Sequence, residues 1–565
     1  GEKLSRYVIK HFENVKNDLY SVFIEKCRIF TKKNYFQAMI TQQAWMFTVT
    51  YEKLRQQLTV ATIVSLLQLG PNAFEEIKGE VVQTAAFVIQ NADNKNYSSS
   101  YFDLTDGESE SEKKQMYLRK EHIFTANYTD FKDVPNESMA YWLSHNALVC
   151  FESKKIGEYA TTREGMTTAD NECFLRSWSE VIWNKVDVAC TSLNEAKHKN
   201  KKWFPYNKGG VNRKWYGNRE LVVNWENDGA EIKSLKDSRT GRIRSHNYNA
   251  EYSFRESGTW TAICSGNIMV RYSPMGSLFD SKGASVFVPS SEKLKYIIAM
   301  LNSKVSNVFL NVLSPSYEYK VGHVANVPCI FKLDDEVEEV SQRCILLSQN
   351  DWDSFETSWD FKKHPLIRNV ATISEAFTQW QAECDDRFNK LKANEEELNR
   401  IFINIYGLQD ELTPEVEDKD VTVRKADLQR DIKSLLSYAV GCMFGRYSLD
   451  KPGLIFAGGN FDSVYWKYKG QAALDENDSP IEGGYAGISL AEYHYPKFHD
   501  TDDWETATWL SYEPDVDNVI PITDEEYLDD DIVSRLCAWL KAVYGADTLE
   551  ENLDYIAKAL GNKGS

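Results

Sequence analysis

The first 115 residues alternate between helical and strand-like hydrophobic spacing, and this alternation limits the possible folds more than any other feature of the chain. Leu4, Val8 and Phe12 recur at helical spacing, and Asp18 precedes a second segment of the same kind. Short apolar runs typical of buried strands follow at 38–41, 63–69 and 81–90. Alternation of this kind predicts an α/β unit, a sheet covered by helices.

This α/β unit has no phosphate-binding loop. Neither a GxGxxG pattern nor a P-loop occurs in it. A dinucleotide or nucleotide triphosphate enzyme carries such a loop at its first strand–helix turn. The sequence therefore indicates either that the chemistry lies elsewhere or that the first half of this domain is missing.

Composition narrows the class of protein further. The 565 residues carry a net charge of −19, which argues against wholesale wrapping by nucleic acid. No run approaches the roughly 20 apolar residues of a membrane span, and no secretory signal is recognisable. The ten cysteines are scattered without a CxxC pair. These features predict a cytoplasmic protein with reduced thiols, no zinc site and no membrane partner.

Residues 197–217 reverse the acidic character of the chain. The segment holds seven Lys and Arg residues and five aromatic residues, but no acid. Lys and Arg neutralise phosphates, and aromatic rings stack on bases. Lys208, Arg213, Lys214, Trp215 and Tyr216 are therefore candidates for nucleic-acid contact. The alternative is a solvated basic loop whose aromatic side chains enter a core.

A second polar segment, residues 160–176, precedes the basic one. Thr161, Arg163, Thr168 and Asn171 carry hydroxyl, guanidinium and amide groups that can contact phosphates or base edges. Arg255, together with Arg239, Arg242 and Arg244, extends the positive character. The alternative is a turn rich in small polar residues that leads into a helix near Asn171.

The last part of the chain, residues 333–565, is acidic and has long stretches of helical spacing. Acid clusters such as Asp529–Asp531 are typical of a solvated surface, because they lack the spacing of a calcium loop. His323 lies alone, which favours a structural role over metal binding. No catalytic residue and no metal ligand is predicted.

Two stretches of the middle region resemble a known family. They read GMTTADNECFLRSW and KWFPYNKGGVNRKWYGNRELVVNWENDG, and they are similar to the PglX family of adenine-specific DNA methyltransferases from BREX phage-exclusion systems. The first stretch also resembles target-recognition domains of other restriction–modification enzymes. Near the start, DLYSVFIEKC and QAMITQQAWM resemble the later motifs of an amino-methyltransferase fold.

The resemblance implies an α/β plus α+β protein with three parts. Residues 1–115 would be the C-terminal half of a Rossmann-like methyltransferase domain, 116–332 a DNA target-recognition domain, and 333–565 a mainly helical acidic domain. The implied parent protein is a transferase of phage defence that methylates adenine N6 at a specific site with S-adenosylmethionine. Its partners would be double-stranded DNA and other proteins of the defence system.

The resemblance also implies what this chain lacks. The family's glycine-rich cofactor loop and its Asn-Pro-Pro-Tyr catalytic loop do not occur, so the chain alone is expected to be inactive and the cofactor site to lie mostly outside it. Phe74 matches the aromatic residue that stacks on the flipped adenine in similar enzymes. The alternative for Phe74 is a buried core position.

Three functions remain open at this level. The first is part of a methyltransferase, the second is a non-catalytic module for DNA recognition and partner docking, and the third is a nuclease-linked restriction protein. The third is the weakest, because no PD…ExK-like pair occurs in a fitting context. The predicted DNA-binding residues are Thr161, Arg163, Thr168, Asn171, Lys208, Arg213, Lys214, Trp215, Tyr216 and Arg255.

Overall fold

A computed structural model describes most of the chain. The described residues are 1–75, 82–264, 266–314, 318–332, 335–461, 464–468, 472–474, 480–485, 494–498, 510–515, 517–524 and 528–561. In this structure the protein is a mixed α/β chain with several small sheets and many helices.

The first part of the chain folds into a five-stranded sheet in the order β1-β3-β2-β4-β5. Its strands are Phe36–Gln42 (β1), Thr62–Gly70 (β2), Thr84–Gln90 (β3), Ser98–Asp103 (β4) and Ile123–Asn127 (β5). Only β2 and β4 are parallel neighbours. The three predicted strands are confirmed, although Val81, the start of the third prediction, lies outside the described residues. The sheet passes the predicted boundary at residue 115, because β5 pairs with β4.

Four helices accompany this sheet. They are Glu2–His11 (α1), Leu19–Phe30 (α2), Glu52–Leu58 (α3) and Glu110–Arg119 (α4). The Asp18 carboxylate caps α2 by accepting a hydrogen bond from the Tyr20 backbone N–H at 3.3 Å. Trp45 is fully buried and meets Phe87 of β3 edge-to-face at 5.1 Å. This contact anchors the chain after β1 to the inner face of the sheet.

The middle of the chain contains two four-stranded sheets. Their strands are Thr161–Arg163 (β6), Leu175–Ser177 (β7), Trp203–Asn207 (β8), Leu221–Asn224 (β9), Ser257–Trp260 (β10), Val270–Ser273 (β11), Leu278–Phe279 (β12) and Ser285–Phe287 (β13). One sheet has the order β11-β10-β13-β6, and the other β12-β8-β9-β7. Short helices connect them: His145–Val149 (α5), Ile156–Tyr159 (α6), Asn171–Phe174 (α7), Leu193–His198 (α8) and Glu226–Ser234 (α9).

Three further helices lie behind these sheets: Ser291–Asn302 (α10), Lys304–Leu313 (α11) and Val321–Ala325 (α12). Ile297, Leu301, Phe309 and Leu310 are fully buried, so α10 and α11 form the centre of the molecule. Within the described residues, no single helix has the length and apolarity of a membrane crossing. Only α10 and α11 taken together do, and they are bent by 73°.

The C-terminal part is mainly helical. Its helices are Asp335–Asp353 (α13), Ile373–Tyr406 (α14), Leu428–Met443 (α15), Ile532–Tyr544 (α16) and Leu549–Ala559 (α17). It also contains four short strands: Tyr465–Tyr468 (β14), Ala472–Leu474 (β15), Pro480–Tyr485 (β16) and His494–Phe498 (β17). Helices α13 and α14 pack against each other and against α10. One apolar core therefore continues from the first sheet to α14, across the predicted boundary at residue 332.

Candidate nucleic-acid interface

The basic-aromatic segment 197–217 is mostly interior rather than exposed. Phe204 and Tyr206 lie on β8 and enter the core that the β12-β8-β9-β7 sheet forms with α8 and α9, and Trp215 and Tyr216 are buried as well. One cation of this segment, Lys199, forms ion pairs with Asp187 and Glu195. The segment therefore resembles the alternative considered above, in which the aromatic residues belong to a core.

Arg213 is an internal ion-pair partner. Its side chain is 6% exposed, and its Nη2 donates to the Asp351 carboxylate at 2.6 Å. Its Nε donates to the Tyr216 backbone oxygen at 2.6 Å. Asp351 lies on α13 and is fully buried. Arg213 therefore joins the middle sheets to the C-terminal helices, and it has no free surface for a phosphate.

Lys214 and Trp215 share one carboxylate on α14. The Lys214 ammonium lies 2.6 Å from Glu395 Oε2, and the Trp215 indole N–H donates to Glu395 Oε1 at 2.8 Å. The Lys214 backbone N–H donates to the Thr422 hydroxyl at 3.1 Å. The prediction that Arg213, Lys214, Trp215 and Tyr216 contact DNA is not supported by this structure, because all four side chains are buried.

The polar segment 160–176 is divided between the interior and the surface. Thr168 is buried and donates its hydroxyl to the Asn171 side-chain oxygen at 2.7 Å, which does not support its predicted DNA contact. Asn171 is exposed at the start of α7, and Thr161 and Arg163 are partly exposed on β6. Among these residues, Thr161, Arg163 and Asn171 keep a surface that DNA can reach. Lys208 is also partly exposed.

Arg163 and Arg255 face the same aromatic ring. Their guanidinium groups lie 5.3 and 5.2 Å from the ring centroid of Tyr252, respectively. Arg255 is exposed, and Arg163 and Tyr252 are partly exposed. We call this group the arginine–tyrosine stack. Two guanidinium groups on one ring give a cationic, planar surface of the kind that binds phosphates and stacks on bases.

A basic hairpin, residues 236–244, projects next to the polar segment. Lys236 and Ile243 form an antiparallel bridge, and Gly241 closes the turn with a φ of +65°. The Asp237 carboxylate accepts hydrogen bonds from the backbone N–H groups of Arg239 and Thr240 and from the Thr240 hydroxyl. These hydrogen bonds lower the pKa of Asp237, and the bond from the Thr240 N–H has the largest effect. The only acid of the hairpin is thus engaged in holding the turn.

The hairpin, the polar segment and the arginine–tyrosine stack form one continuous strip. Arg244 donates to the Ala169 backbone oxygen at 3.1 Å, and His246 and Thr167 exchange backbone hydrogen bonds. Further along, the Asn249 amide donates to the Glu164 backbone oxygen at 2.8 Å. The exposed rings of His246 and Tyr248 stack at 5.4 Å between the two cationic groups. The exposed cations of the strip are Lys236, Arg239, Arg242, Arg244 and Arg255.

A cleft of about 880 Å³ lies between the first sheet and the middle of the chain. From the sheet side it is lined by Gln43, Phe47, Gln68, Gln83 and Trp142, and from the other side by Asn267, Asn311, Tyr319, Lys320 and His323. Side-chain amides thus dominate its polar surface. Burial lowers the pKa of His323, so the imidazole is neutral at physiological pH.

One amide in the cleft has an unused acceptor. Gln43 is buried, and its Nε2 donates to the Gln83 side-chain oxygen, while its own Oε1 has no hydrogen-bond partner in the described part of the chain. Gln68 lines the cleft and accepts a hydrogen bond from the Tyr141 hydroxyl at 2.6 Å through Oε1, so its amino group can act as a donor. A buried carbonyl without a partner is costly, so this floor is suited to a hydrogen-bonding ligand.

The segment after β2, which contains Phe74, begins at this cleft. Pro71, directly after β2, lines it, and Phe74 follows three residues later with 36% of its surface exposed. An exposed ring does not support the alternative of a core position. Its stacking role stays a prediction.

Comparison with known proteins identifies two relatives of the chain. The chain is 42% identical over 577 residues to adenine-specific methyltransferase PglX of Lacticaseibacillus casei (strain Zhang), a match over 99% of this chain and 44% of that protein. The chain is a relative of PglX. It is also 32% identical over 578 residues to adenine-specific methyltransferase BrxX of Escherichia coli O9:H4 (strain HS), over 99% of this chain and 43% of that protein. The chain thus spans less than half the length of these curated relatives.

Comparisons with family models and with solved structures give no evidence beyond the similarity to PglX. No protein-family model matches the chain. Among solved structures, the Type IIL restriction–modification enzyme MmeI in complex with DNA aligns with a TM-score of 0.43 and 12% identity, over 73% of this chain and 53% of MmeI. The Type ISP enzyme LlaGI aligns with a TM-score of 0.34, also at 12% identity, over 63% of this chain and 33% of LlaGI. Both likenesses are too distant to carry an argument.

The resemblance to PglX read from the sequence is thereby confirmed. Several residues of the strip and the cleft of this PglX relative were nevertheless not recognised from the sequence. Tyr252, Tyr248 and Gln43 were not predicted as site residues. A signal existed for the hairpin, because KDSRTGRIR combines four cations with an Asp and a Gly at turn spacing. Nothing in the sequence marked Gln43, since its role depends on which amide faces the cleft. The described residues contain no group of three or more potential metal ligands.

Proposed function

We propose that this chain is part of a site-specific N6-adenine DNA methyltransferase of a BREX-type phage-defence system. It would supply recognition of the DNA sequence and the later strands of the catalytic domain. The observation that carries this proposal is the 42% identity to PglX along 99% of the chain. The exposed cationic strip adds support, because it gives an acidic protein a local surface for a phosphate backbone.

The residues present do not fit S-adenosylmethionine. No strand of the first sheet leads into a glycine-rich turn: β1 is followed by Gln43, β2 by Pro71 and β4 by Leu104. Asp103, the acid lining the cleft, accepts hydrogen bonds from the Thr105 backbone N–H and hydroxyl through Oδ1. We therefore derive no step of methyl transfer from this chain and place its contribution in DNA binding and base positioning.

The duplex is proposed to lie along the strip defined by the basic hairpin and the arginine–tyrosine stack. Arg239 and Arg242 point from a rigid turn and would contact phosphates, which set position but carry no sequence information. Asn171 lies in the polar segment next to the hairpin, and Arg163 belongs to the stack. Their amide and guanidinium groups suit base edges in the major groove.

The cleft is proposed to receive the extruded adenine. Enzymes that modify a base take it out of the duplex and hold it by stacking and by hydrogen bonds to its edge. Phe74 would stack on the adenine at the rim. The unpartnered Gln43 carbonyl and the Gln68 amino group offer one acceptor and one donor, the pattern that an adenine edge complements.

The test replaces the exposed cations of the hairpin. The triple variant Arg239→Ala, Arg242→Ala, Arg244→Ala should bind duplex DNA of any sequence more weakly. The slope of log affinity against log salt concentration should fall by about one unit per lost phosphate contact. Both are measured by fluorescence anisotropy at several salt concentrations.

A matched control removes three cations elsewhere. Arg343, Lys390 and Lys419 are also exposed, and they lie on or next to α13 and α14, away from the strip. Their triple Ala variant should keep the original affinity and salt slope. Equal behaviour of the two triple variants would exclude the hairpin as the DNA contact.

A further inference from the structure

Val211 lies in a short loop of the basic-aromatic segment, and residues 210–212 of this loop are exposed. Val211 itself is 73% exposed, more than any other large apolar side chain of the described residues between 116 and 332. The side chains on either side of the loop are interior, since Tyr206 and Trp215 are both buried. A single exposed apolar residue is common on protein surfaces, so its meaning depends on its surroundings. We call residues 208–212 the glycine loop.

Three successive carbonyl groups fix the backbone of the glycine loop. The buried Asn218 amide donates to the Gly209 oxygen at 3.1 Å and to the Val211 oxygen at 2.9 Å. Between them, the Gly210 oxygen accepts a hydrogen bond from the Thr261 hydroxyl at 3.2 Å. Gly210 has a φ of +110°, and a Cβ there would lie 2.8 Å from Asn218 Nδ2. The loop therefore presents Val211 to the solvent from a fixed backbone.

On one side, the glycine loop is connected to the wall of the cleft. Thr261, which bonds to Gly210, is followed by Ala262, and the Ala262 oxygen accepts a hydrogen bond from the Tyr319 backbone N–H at 2.7 Å. Tyr319 lines the cleft. From ordinary bond lengths, this connection places the Gly210 carbonyl within roughly 15 Å of the Tyr319 backbone.

On the other side, the loop is connected to the cationic strip. The Lys282 backbone oxygen lies 3.2 Å from the position of a Cβ on Gly209. The preceding residue, Ser281, donates its backbone N–H at 3.2 Å to the oxygen of Met166, which belongs to the polar segment. The glycine loop thus lies on the path between the surface proposed for the duplex and the cleft proposed for the extruded adenine.

The surroundings of Val211 carry positive charge. Lys208 is partly exposed within the loop, and the loop contains no acid. Lys282 and Lys320 are exposed and share one carboxylate, that of Glu318, at 3.1 and 3.4 Å. Two lysines on one acid leave a net positive charge next to the loop. Phosphates on either side of a target base can therefore approach Val211.

We propose that Val211 is a wedge that enters the duplex at the target base pair and occupies the space left by the extruded adenine. Apolar side chains inserted between base steps unstack them, and extrusion of a base requires this unstacking. A β-branched side chain suits the role, because its χ1 is stiff. The inference rests on the proposed function and adds to it a positioning residue outside the cleft and the strip.

The test uses the complete gene product and a short duplex that carries its methylation site, mapped by sequencing modified adenines in cells that express it. Val211→Ala should slow methylation of a paired target by roughly tenfold, because a wedge offsets part of the cost of unstacking. When the target adenine faces an abasic site, the difference from the wild type should shrink to about twofold or less, since that base is already unpaired. Val211→Ile should keep the wild-type rate on both duplexes.

A second measurement reports extrusion directly. With 2-aminopurine in place of the target adenine, saturating Val211→Ala should give a smaller fluorescence rise than the wild type. The slope of log affinity against log salt concentration should stay the same, because Val211 makes no ionic contact. Val519→Ala is the matched control, since Val519 is 64% exposed and lies in the C-terminal part. It should behave as the wild type in every assay.

Two results would overturn the wedge. One is a Val211→Ala variant with wild-type methylation and fluorescence, and the other is a defect of equal size on paired and unpaired targets, which would mark a contact outside the extrusion step. Failure of the proposed function is distinguished by the hairpin variant that lacks Arg239, Arg242 and Arg244. That variant would then bind DNA with wild-type affinity and salt slope, whereas failure of the wedge alone leaves its binding defect in place.

Discussion

At the scale of single residues, charge proved a poor guide to DNA contact until burial was known. Arg213 and Lys214 lie in the most basic segment of the chain, yet each faces a carboxylate in the interior. Arg239 and Arg242 lie in a less conspicuous segment and are exposed. A cation with a buried partner stabilises the fold, and only a cation at the surface can release counterions from DNA.

Lys214 is therefore predicted to act on stability and not on DNA affinity. Lys214→Ala leaves the Glu395 carboxylate buried without its cation, and breaking such a pair costs about 3–5 kcal/mol. The thermal midpoint and the free energy of unfolding in urea should both fall. At a temperature where the variant is folded, its DNA affinity and salt slope should equal those of the wild type. The exposed Lys197→Ala is the stability control, and a DNA-specific defect in folded Lys214→Ala would contradict the assignment.

Phe74 is predicted to act on the target base. Its exposed ring should stack on the extruded adenine, an interaction worth about 1–3 kcal/mol by Ala substitution. In the complete enzyme, Phe74→Ala should slow methylation and leave affinity for the recognition site nearly unchanged. The 2-aminopurine fluorescence of a probe at the target base should change in parallel. A normal rate with unaltered fluorescence would show that Phe74 has no part in base flipping.

At the scale of elements, the basic hairpin depends on a few local interactions that hold its cations in place. Asp237 and Gly241 define the turn, and the turn sets the positions of the cations. A Cβ at Gly241 would meet no atom within 4 Å, so a substitution there strains the backbone without any clash. Gly407, at the end of α14, also has a positive φ of +69°, and a Cβ there would likewise meet no atom within 4 Å.

This pair of glycines gives an element-scale prediction. Gly241→Val should loosen the turn, because a β-branched residue is strained at positive φ by about 1–3 kcal/mol. DNA affinity should fall several-fold, while the thermal midpoint stays close to that of the wild type, since the hairpin is exposed. Gly407→Val should show the reverse, lowering the midpoint and leaving DNA binding intact. The two variants are compared by anisotropy and calorimetry, and equal DNA binding in both would show that the shape of the hairpin is unimportant.

At the scale of the whole molecule, one continuous core joins the first sheet, the middle of the chain and α14. Trp215 and Tyr216 from the middle of the chain and Leu391 from α14 belong to the same buried cluster as the first sheet. The ion pairs of Arg213 and Lys214 connect the same parts. A base extruded from DNA on the strip would therefore meet the cleft at a defined distance, which favours positioning as the chain's contribution to catalysis.

The isolated chain is predicted to bind DNA but not to methylate it. It carries the strip and the cleft, and its 565 residues contain neither the glycine-rich loop nor the Asn-Pro-Pro-Tyr loop of the family it resembles. Incubation with tritiated S-adenosylmethionine and plasmid DNA should give no labelled DNA, while anisotropy with the same DNA reports binding. The complete gene product serves as the positive control. Methyl transfer by the isolated chain would contradict the prediction.

The sequence by itself determined the local structure and the family. Hydrophobic spacing located β1, β2 and β3, since strand periodicity is a property of adjacent residues. The Asp18 cap likewise marked the start of α2 correctly. The motifs of the middle region identified the PglX relationship, because a long specific string needs no three-dimensional information. The sequence did not predict that the sheet continues to β5, because this continuation depends on pairing with β4.

Only the tertiary structure decided which cations of the basic segment are buried. Arg213 meets Asp351 across 138 residues of sequence, and Lys214 meets Glu395 across 181. Local spacing carries no information on such pairings, so a buried cation and a DNA-binding cation look the same in the sequence. The burial of a charge is settled by which carboxylate the fold brings within hydrogen-bond distance, and that is a property of the whole packed chain.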